Sequence, residues 1–168
     1  MKKIFIVLAM LMSCSLFAEI TQNEMYVEQM TAYGNTFTVT YSFTKNLSTN
    51  IPSGKIMFEG SYKVLGRGTV SLYFYDGIDF YKELRDYLIF INRISMVTPK
   101  YELLCQRNSS ITFEGYKIDF RKKGENYYLW EGSTIIADRE QLPELIKIFS
   151  DVYDRYTELY NDIRKVNF

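Results

Sequence analysis

Residues 36–45, TFTVTYSFTK, alternate without a fault. Phe37, Val39, Tyr41 and Phe43 fall on one side, and Thr36, Thr38, Thr40, Ser42 and Thr44 on the other. A period of two, with one greasy set and one hydroxylated set, predicts a strand buried on one face and wet on the other. The segment before it reads two ways. In residues 21–34, TQNEMYVEQMTAYG, Thr21 with Glu24 forms a capping box and Gly34 a helix end, which favours a helix. The same stretch offers Gly34-Asn35 as a two-residue hairpin turn, placing Tyr26, Met30 and Ala32 against Phe37, Val39 and Phe43. Between these two readings the capping signals favour the helix.

Residues 46–54 read as a loop, and 54–64 and 68–75 as strands joined through Gly66-Arg67-Gly68. The period then changes. Tyr81, Leu84, Leu88, Ile91 and Ile94 keep helical spacing, flanked by Phe80, Tyr87 and Phe90, until Thr98-Pro99 stops the helix. So broad an apolar surface predicts a helix that is sandwiched or meets a partner. Residues 101–105, 110–122, 126–131 and 134–137 read as further strands. The last element is the clearest: Leu142, Leu145, Ile146, Phe149, Val152, Tyr153, Tyr156, Leu159, Tyr160 and Ile163 form one stripe at three- and four-residue steps. Pro143 suits a first helical turn, and Asp151, Asp154, Glu158 and Asp162 lie off the stripe. The expected fold is α+β, one antiparallel sheet of about six to seven strands with two main helices, 78–96 and 143–165, packed on it.

Part of the chain looks duplicated. IMFEGSYKV (56–64) matches ITFEGYKI (111–118) if Ser61 is an insertion, and LYFYDG (72–77) parallels YYLWEG (127–132). The same offset separates Ile56 from Ile111 and Gly77 from Gly132. A fixed offset predicts a repeated hairpin-plus-helix unit, residues 54–96 and 109–165. Gly60 and Gly115 would then mark equivalent bulges or bends. Asp76 and Glu131, each followed by glycine, would close equivalent strands.

The amino terminus changes the picture of where this domain works. Met1-Lys2-Lys3 precedes an apolar run, residues 4–12, too short to span a bilayer, and small residues follow. This layout predicts a signal peptide over residues 1–18 and one α+β domain over 19–168. Two cleavage sites compete. Cleavage after Ala18 frees the protein into the periplasm or medium. Lipidation at Cys14, within Leu11-Met12-Ser13-Cys14, would tether it to a membrane. Met12 is an unusual lipobox residue, and no polar tether follows Ser15, so cleavage at Ala18 is the expectation. Loss of Lys2 and Lys3 takes the formal charge from zero to about −2.

Chemistry is narrowly bounded. Only Cys14 and Cys105 are present, and either processing route leaves Cys105 alone, so no disulfide framework is expected. Cys105, in an apolar run, reads as a buried inert thiol. The chain has no histidine, which removes the usual triads and His-based metal sites. It has no CxxC and no GK[ST], so no metal or cofactor is expected. The basic residues form no broad cluster, which argues against nucleic acid. Catalysis would fall to carboxylates, Glu59 with Glu114 and Asp76 with Glu131, paired by the duplication as in glycoside hydrolysis. The expectation is therefore an exported, non-catalytic envelope protein that binds a protein or glycan partner. The alternative is a small carboxylate hydrolase acting on envelope glycan.

Overall fold

The computed structural model describes residues 21–32, 34–46, 49, 51–64, 68–95, 110–113 and 116–165. The class is α+β, as the periodicities require. Among the described residues the strands number eight, in two antiparallel sheets of four, in place of one sheet of six to seven. The first sheet is the meander β1 (Thr21–Ala32), β2 (Asn35–Asn46), β3 (Ile51–Val64) and β4 (Gly68–Asp76). Helix α1 (Ile78–Ser95) follows. The second sheet is the meander β5 (Ser110–Phe113), β6 (Tyr116–Lys123), β7 (Asn126–Glu131) and β8 (Thr134–Asp138). A 3-10 turn, Arg139–Gln141, leads into α2 (Leu142–Lys165).

Segment 21–32 is a strand and not a helix. Its burial alternates at every step, with Tyr26 and Met30 turned inward beside β2. The Tyr26 ring meets Phe43 edge-on, with 6.3 Å between centroids. Cross-strand packing of this kind outweighs the local capping signals, each worth only about 0.5–2 kcal/mol. Ala32 pairs with Asn35, a register different from the one a Gly34-Asn35 turn would give. Gly34 takes φ +70°, which a tight hairpin demands and glycine supplies without strain.

β3 starts at Ile51, inside the stretch expected to be a loop. Pro52 is accommodated near the strand's first residues, opposite Lys45. Lys45 is itself buried, and its ammonium donates to the carbonyl of Ile163 at 2.7 Å. It caps the last turn of α2, where free carbonyls and the helix dipole attract a cation.

One hydrophobic cluster joins both sheets and both helices. Phe37, Val39, Tyr41, Phe43, Ile56, Phe58, Tyr62 and Phe74 supply the inner face of the first sheet. The α2 stripe covers it. Phe149 sits 5.2 Å from Phe58 and 6.2 Å from Tyr81, between ring centroids. Helix α1 is buried on one face and not sandwiched: Phe80, Tyr81, Leu84, Leu88 and Ile91 are buried and the Tyr81 hydroxyl donates to the carbonyls of Ile56 and Phe74, while Phe90 is 47% exposed. Arg85 stacks on Tyr153, 4.5 Å from its ring centre, tying the two helices together.

The duplication does not survive residue by residue. Residues 56–64 lie within the single strand β3, whereas 111–118 span β5, a two-residue connection and the start of antiparallel β6. Gly60 sits mid-strand in unbroken register, facing Phe37 and Leu72, with no bulge. Gly115 falls between β5 and β6, outside the described residues. β4 leads directly into a helix, but β7 leads into β8. The expected single strand over 110–122 is likewise two strands. What the two halves have in common is a four-stranded meander followed by a helix. The expected strand 101–105, with Cys105, lies outside the described residues, as do Cys14 and the cleavage site at Ala18.

Candidate functional site

The helices cover one face of the first sheet, and its other face stays open. Strand alternation places Thr21, Asn23, Met25, Val27, Gln29 and Thr31 of β1 there, with Lys55, Met57, Glu59 and Ser61 of β3. From β4 come Thr69, Ser71, Tyr73 and Tyr75. Register lines these up in rows across the strands. One row is Val27, Thr40, Met57 and Tyr75, and the next is Gln29, Thr38, Glu59 and Tyr73. Large apolar groups stand in water on this face: Met25 is 69% exposed, Val27 62%, Tyr73 53% and Tyr75 49%. Thr40, flanked by Val27 and Met57, is covered by them and only 7% exposed.

A shallow groove of about 400 Å3 crosses this face. That is the lower part of the ~300–1,000 Å3 range of small-ligand clefts. Its walls are Thr36, Thr38, Glu59, Ser61, Ser71 and Tyr73. The hydroxyls of Ser61 and Ser71 lie 2.9 Å apart and hydrogen-bond each other. Glu59 and Tyr73 are direct cross-strand neighbours, so a carboxylate stands beside a half-exposed phenol ring. The groove therefore offers one acceptor charge, several hydroxyls that both donate and accept, and one flat aromatic face.

Of the four carboxylates singled out from the sequence, the structure describes three, on three different strands. Glu59 is exposed and lines the groove. Glu114, its expected counterpart, lies outside the described residues. Asp76 is 2% exposed and structural in its contacts. Its Oδ1 accepts from the Gly77 amide at 2.6 Å, just before α1, and the Lys55 ammonium stands 3.9 Å away. A carboxylate at a helix start, facing a cation, is an anchor for the strand-to-helix corner. Glu131 belongs to the second sheet, paired with Ile118 and Thr134. Burial pushes its carboxyl above the usual range. Burial accounts for that shift, whereas a shared-proton dyad would draw it from a neighbouring carboxylate. With the duplication gone, the reason for pairing Asp76 with Glu131 goes too.

The second sheet carries a different cluster. Arg121 lies over the Trp130 ring at 4.1 Å, pairs with Asp119 at 3.2 Å and donates to the Gly132 carbonyl at 2.8 Å. These contacts use its charge internally and brace the β6–β7 hairpin. Among the described residues, no group of three His, Cys, Asp or Glu side chains is placed to hold a metal ion. Among them also, no helix is long and apolar enough to cross a membrane.

The sequence alone marks Thr38 as part of a wet strand face but gives no sign that Tyr73, Ser61 and Ser71 join it in a groove. The nearest signal is the wet half of the alternation in residues 68–76, where aromatic Tyr73 and Tyr75 stand among Thr69 and Ser71. No protein-family model and no curated protein sequence matches the chain.

Proposed function

We propose that this is an exported envelope protein without catalytic activity that binds a neutral glycan on the open face of its first sheet. The observation that carries the reading is the groove lined by Thr36, Thr38, Glu59, Ser61, Ser71 and Tyr73. Sugars present hydroxyls around an apolar ring face. Side-chain hydroxyls and a carboxylate match the first, and an exposed tyrosine ring matches the second. The basic, apolar amino terminus supports export. Binding is favoured over hydrolysis because the groove brings in one of the four candidate carboxylates, and glycoside cleavage ordinarily uses two.

The test is titration of the labelled protein with N-acetylglucosamine oligomers and with other neutral oligosaccharides, followed by NMR. Shifts confined to Thr38, Glu59, Ser61 and Tyr73 are expected. Tyr73→Ala should weaken binding about tenfold, the loss of one stacking contact with its buried area. Tyr73 is exposed, so the variant should keep the wild-type melting profile. Absence of binding to every glycan, or turnover of the oligomers, would sink the reading. Intact mass of the exported protein reports processing: a chain starting at Glu19 is expected, and an acylated Cys14 start would replace it.

A further inference from the structure

We propose that β1 is a self-association edge, through which two copies of this chain pair antiparallel about a twofold axis at Val27 and join their first sheets into one. The proposal stands apart from the glycan reading, because it concerns the sheet's edge and not the groove.

β1 is the outermost strand of its sheet and runs Thr21–Ala32 in unbroken register with β2. Its far side carries a row of backbone amides and carbonyls that no described strand pairs. Soluble proteins usually blunt such an edge with lysine, proline, a bulge, a short length, inward-pointing charges or a cover, and of these β1 has only the inward-set Glu24 and Glu28, both already bonded within the chain. β1 contains no lysine, arginine or proline, has no bulge and is twelve residues long. The opposite edge of the same sheet is treated differently. There the Tyr75 amide donates to the Tyr116 hydroxyl of the second sheet at 2.9 Å. One edge is tied to the second sheet, and the other has no partner strand among the described residues.

The carboxylates of β1 select the register. Glu24 and Glu28 are held within the chain. Glu24 takes bonds from Gln22 and the Tyr26 hydroxyl, and Glu28 from Arg155 at 2.6 Å. They therefore do not forbid pairing, but they must not face each other, since like charges directly opposite are destabilising. A twofold axis keeps the two outer faces on one side only if it passes through a residue. An axis at Tyr26 sets Glu24 against Glu28 of the second copy. An axis at Glu28 sets Glu28 against itself. An axis at Val27 sets Glu28 against Tyr26, Glu24 against Met30 and Met25 against Gln29, while overlapping nearly the full strand. That register closes about ten backbone hydrogen bonds, since alternate pairs exchange two each. It also puts Val27 beside Val27 on the outer face, which accounts for an apolar side chain 62% exposed at the rim of the sheet.

Sedimentation of the exported protein over a concentration series tests the association. A reversible dimer is expected, with Val27→Lys raising its dissociation constant at least tenfold while leaving the melting midpoint of the chain unchanged. Register is tested by oxidation in a Cys105→Ser background. Val27→Cys should crosslink two copies readily, because residues opposite each other bring Cβ atoms to about 4.5–5.5 Å. Gln29→Cys, four residues apart from its equivalent across the axis, should not. A monomer at every concentration with no Val27→Cys crosslink overturns the proposal. So does a dimer indifferent to Val27→Lys, or one that crosslinks through Gln29→Cys instead.

Discussion

Gly60→Ala probes how β2 and β3 fit, and its cost can be worked from the packing. Gly60 faces Phe37 directly across the strands. A Cβ at residue 60 would strike Phe37 Cδ1 and lie 3.0 Å from both Cε1 and Cγ. Three atoms of one ring are involved, so rotating the ring offers no escape. Nor can the whole side chain withdraw: Phe37 is fully buried, stacked on Phe58 at 5.3 Å and 5.8 Å from Tyr62. Two effects oppose each other. Replacing glycine by alanine in a strand gains about 0.5–1 kcal/mol by restricting the unfolded chain. Forcing a methyl into a filled core costs about 1–3 kcal/mol. The clash with an immobile ring wins, and a net loss of about 1–2 kcal/mol is expected. The assay is guanidinium unfolding, read as a lower midpoint at constant slope. The control is the Phe37→Ala background, itself about 3–5 kcal/mol less stable than wild type. With the ring gone, Gly60→Ala should become neutral or stabilising, so the two changes couple by more than about 1 kcal/mol. A Gly60→Ala protein as stable as wild type, or one equally destabilised in both backgrounds, would refute the argument that Phe37 occupies the glycine's space.

Phe149→Ala should cost about 3–5 kcal/mol in the same assay, because the ring is buried among Phe58, Phe74 and Tyr81; an unchanged midpoint would mean that the α2 stripe does not cover the sheet. The pH dependence of Glu131→Gln has a definite sign. Burial raises the folded carboxyl above its ordinary value, so the folded state holds the proton more tightly and wild-type stability is lost as pH rises through the elevated value. Glu131→Gln carries no such penalty, and its midpoint relative to wild type should climb between pH 4 and pH 7; parallel pH profiles would count against a desolvated Glu131.

Much of this molecule is written locally. The alternation in residues 36–45 and 68–75 and the ten-residue stripe of α2 need only one buried neighbour to be satisfied, and each became the element its period predicted. The start of the 3-10 turn before α2 was also legible, though only Pro143 was used to find it. Asp138 and Gln141 form a reciprocal capping box there, a pattern of two residues three apart. The open groove was half legible. Thr36 and Thr38 announce a wet face, but Glu59 stands out in the sequence only through a residue-level match that the strand registers do not keep, and Tyr73 reads there only as strand.

Tertiary structure decided what depends on partners distant in sequence. β1 is an edge strand, whose inward set includes Glu24 and Glu28 and whose outward set includes Met25 and Val27, so its alternation is blurred. Only pairing with β2, and the reach of Arg155 from α2 to Glu28, distinguish it from the capped helix its termini suggest. The break between β5 and β6 is set by the pairing of Phe113 with Tyr116, which a run of strand-forming residues does not announce. Whether eight strands make one sheet or two follows from which edges meet. That is settled by packing against the helices, as when Tyr116 of the second sheet reaches Phe74 at the edge of the first and Phe80 of α1. Periodicity tells each residue whether to seek the core. It does not say which other segment will provide it, because that choice is made by shape and non-local contact.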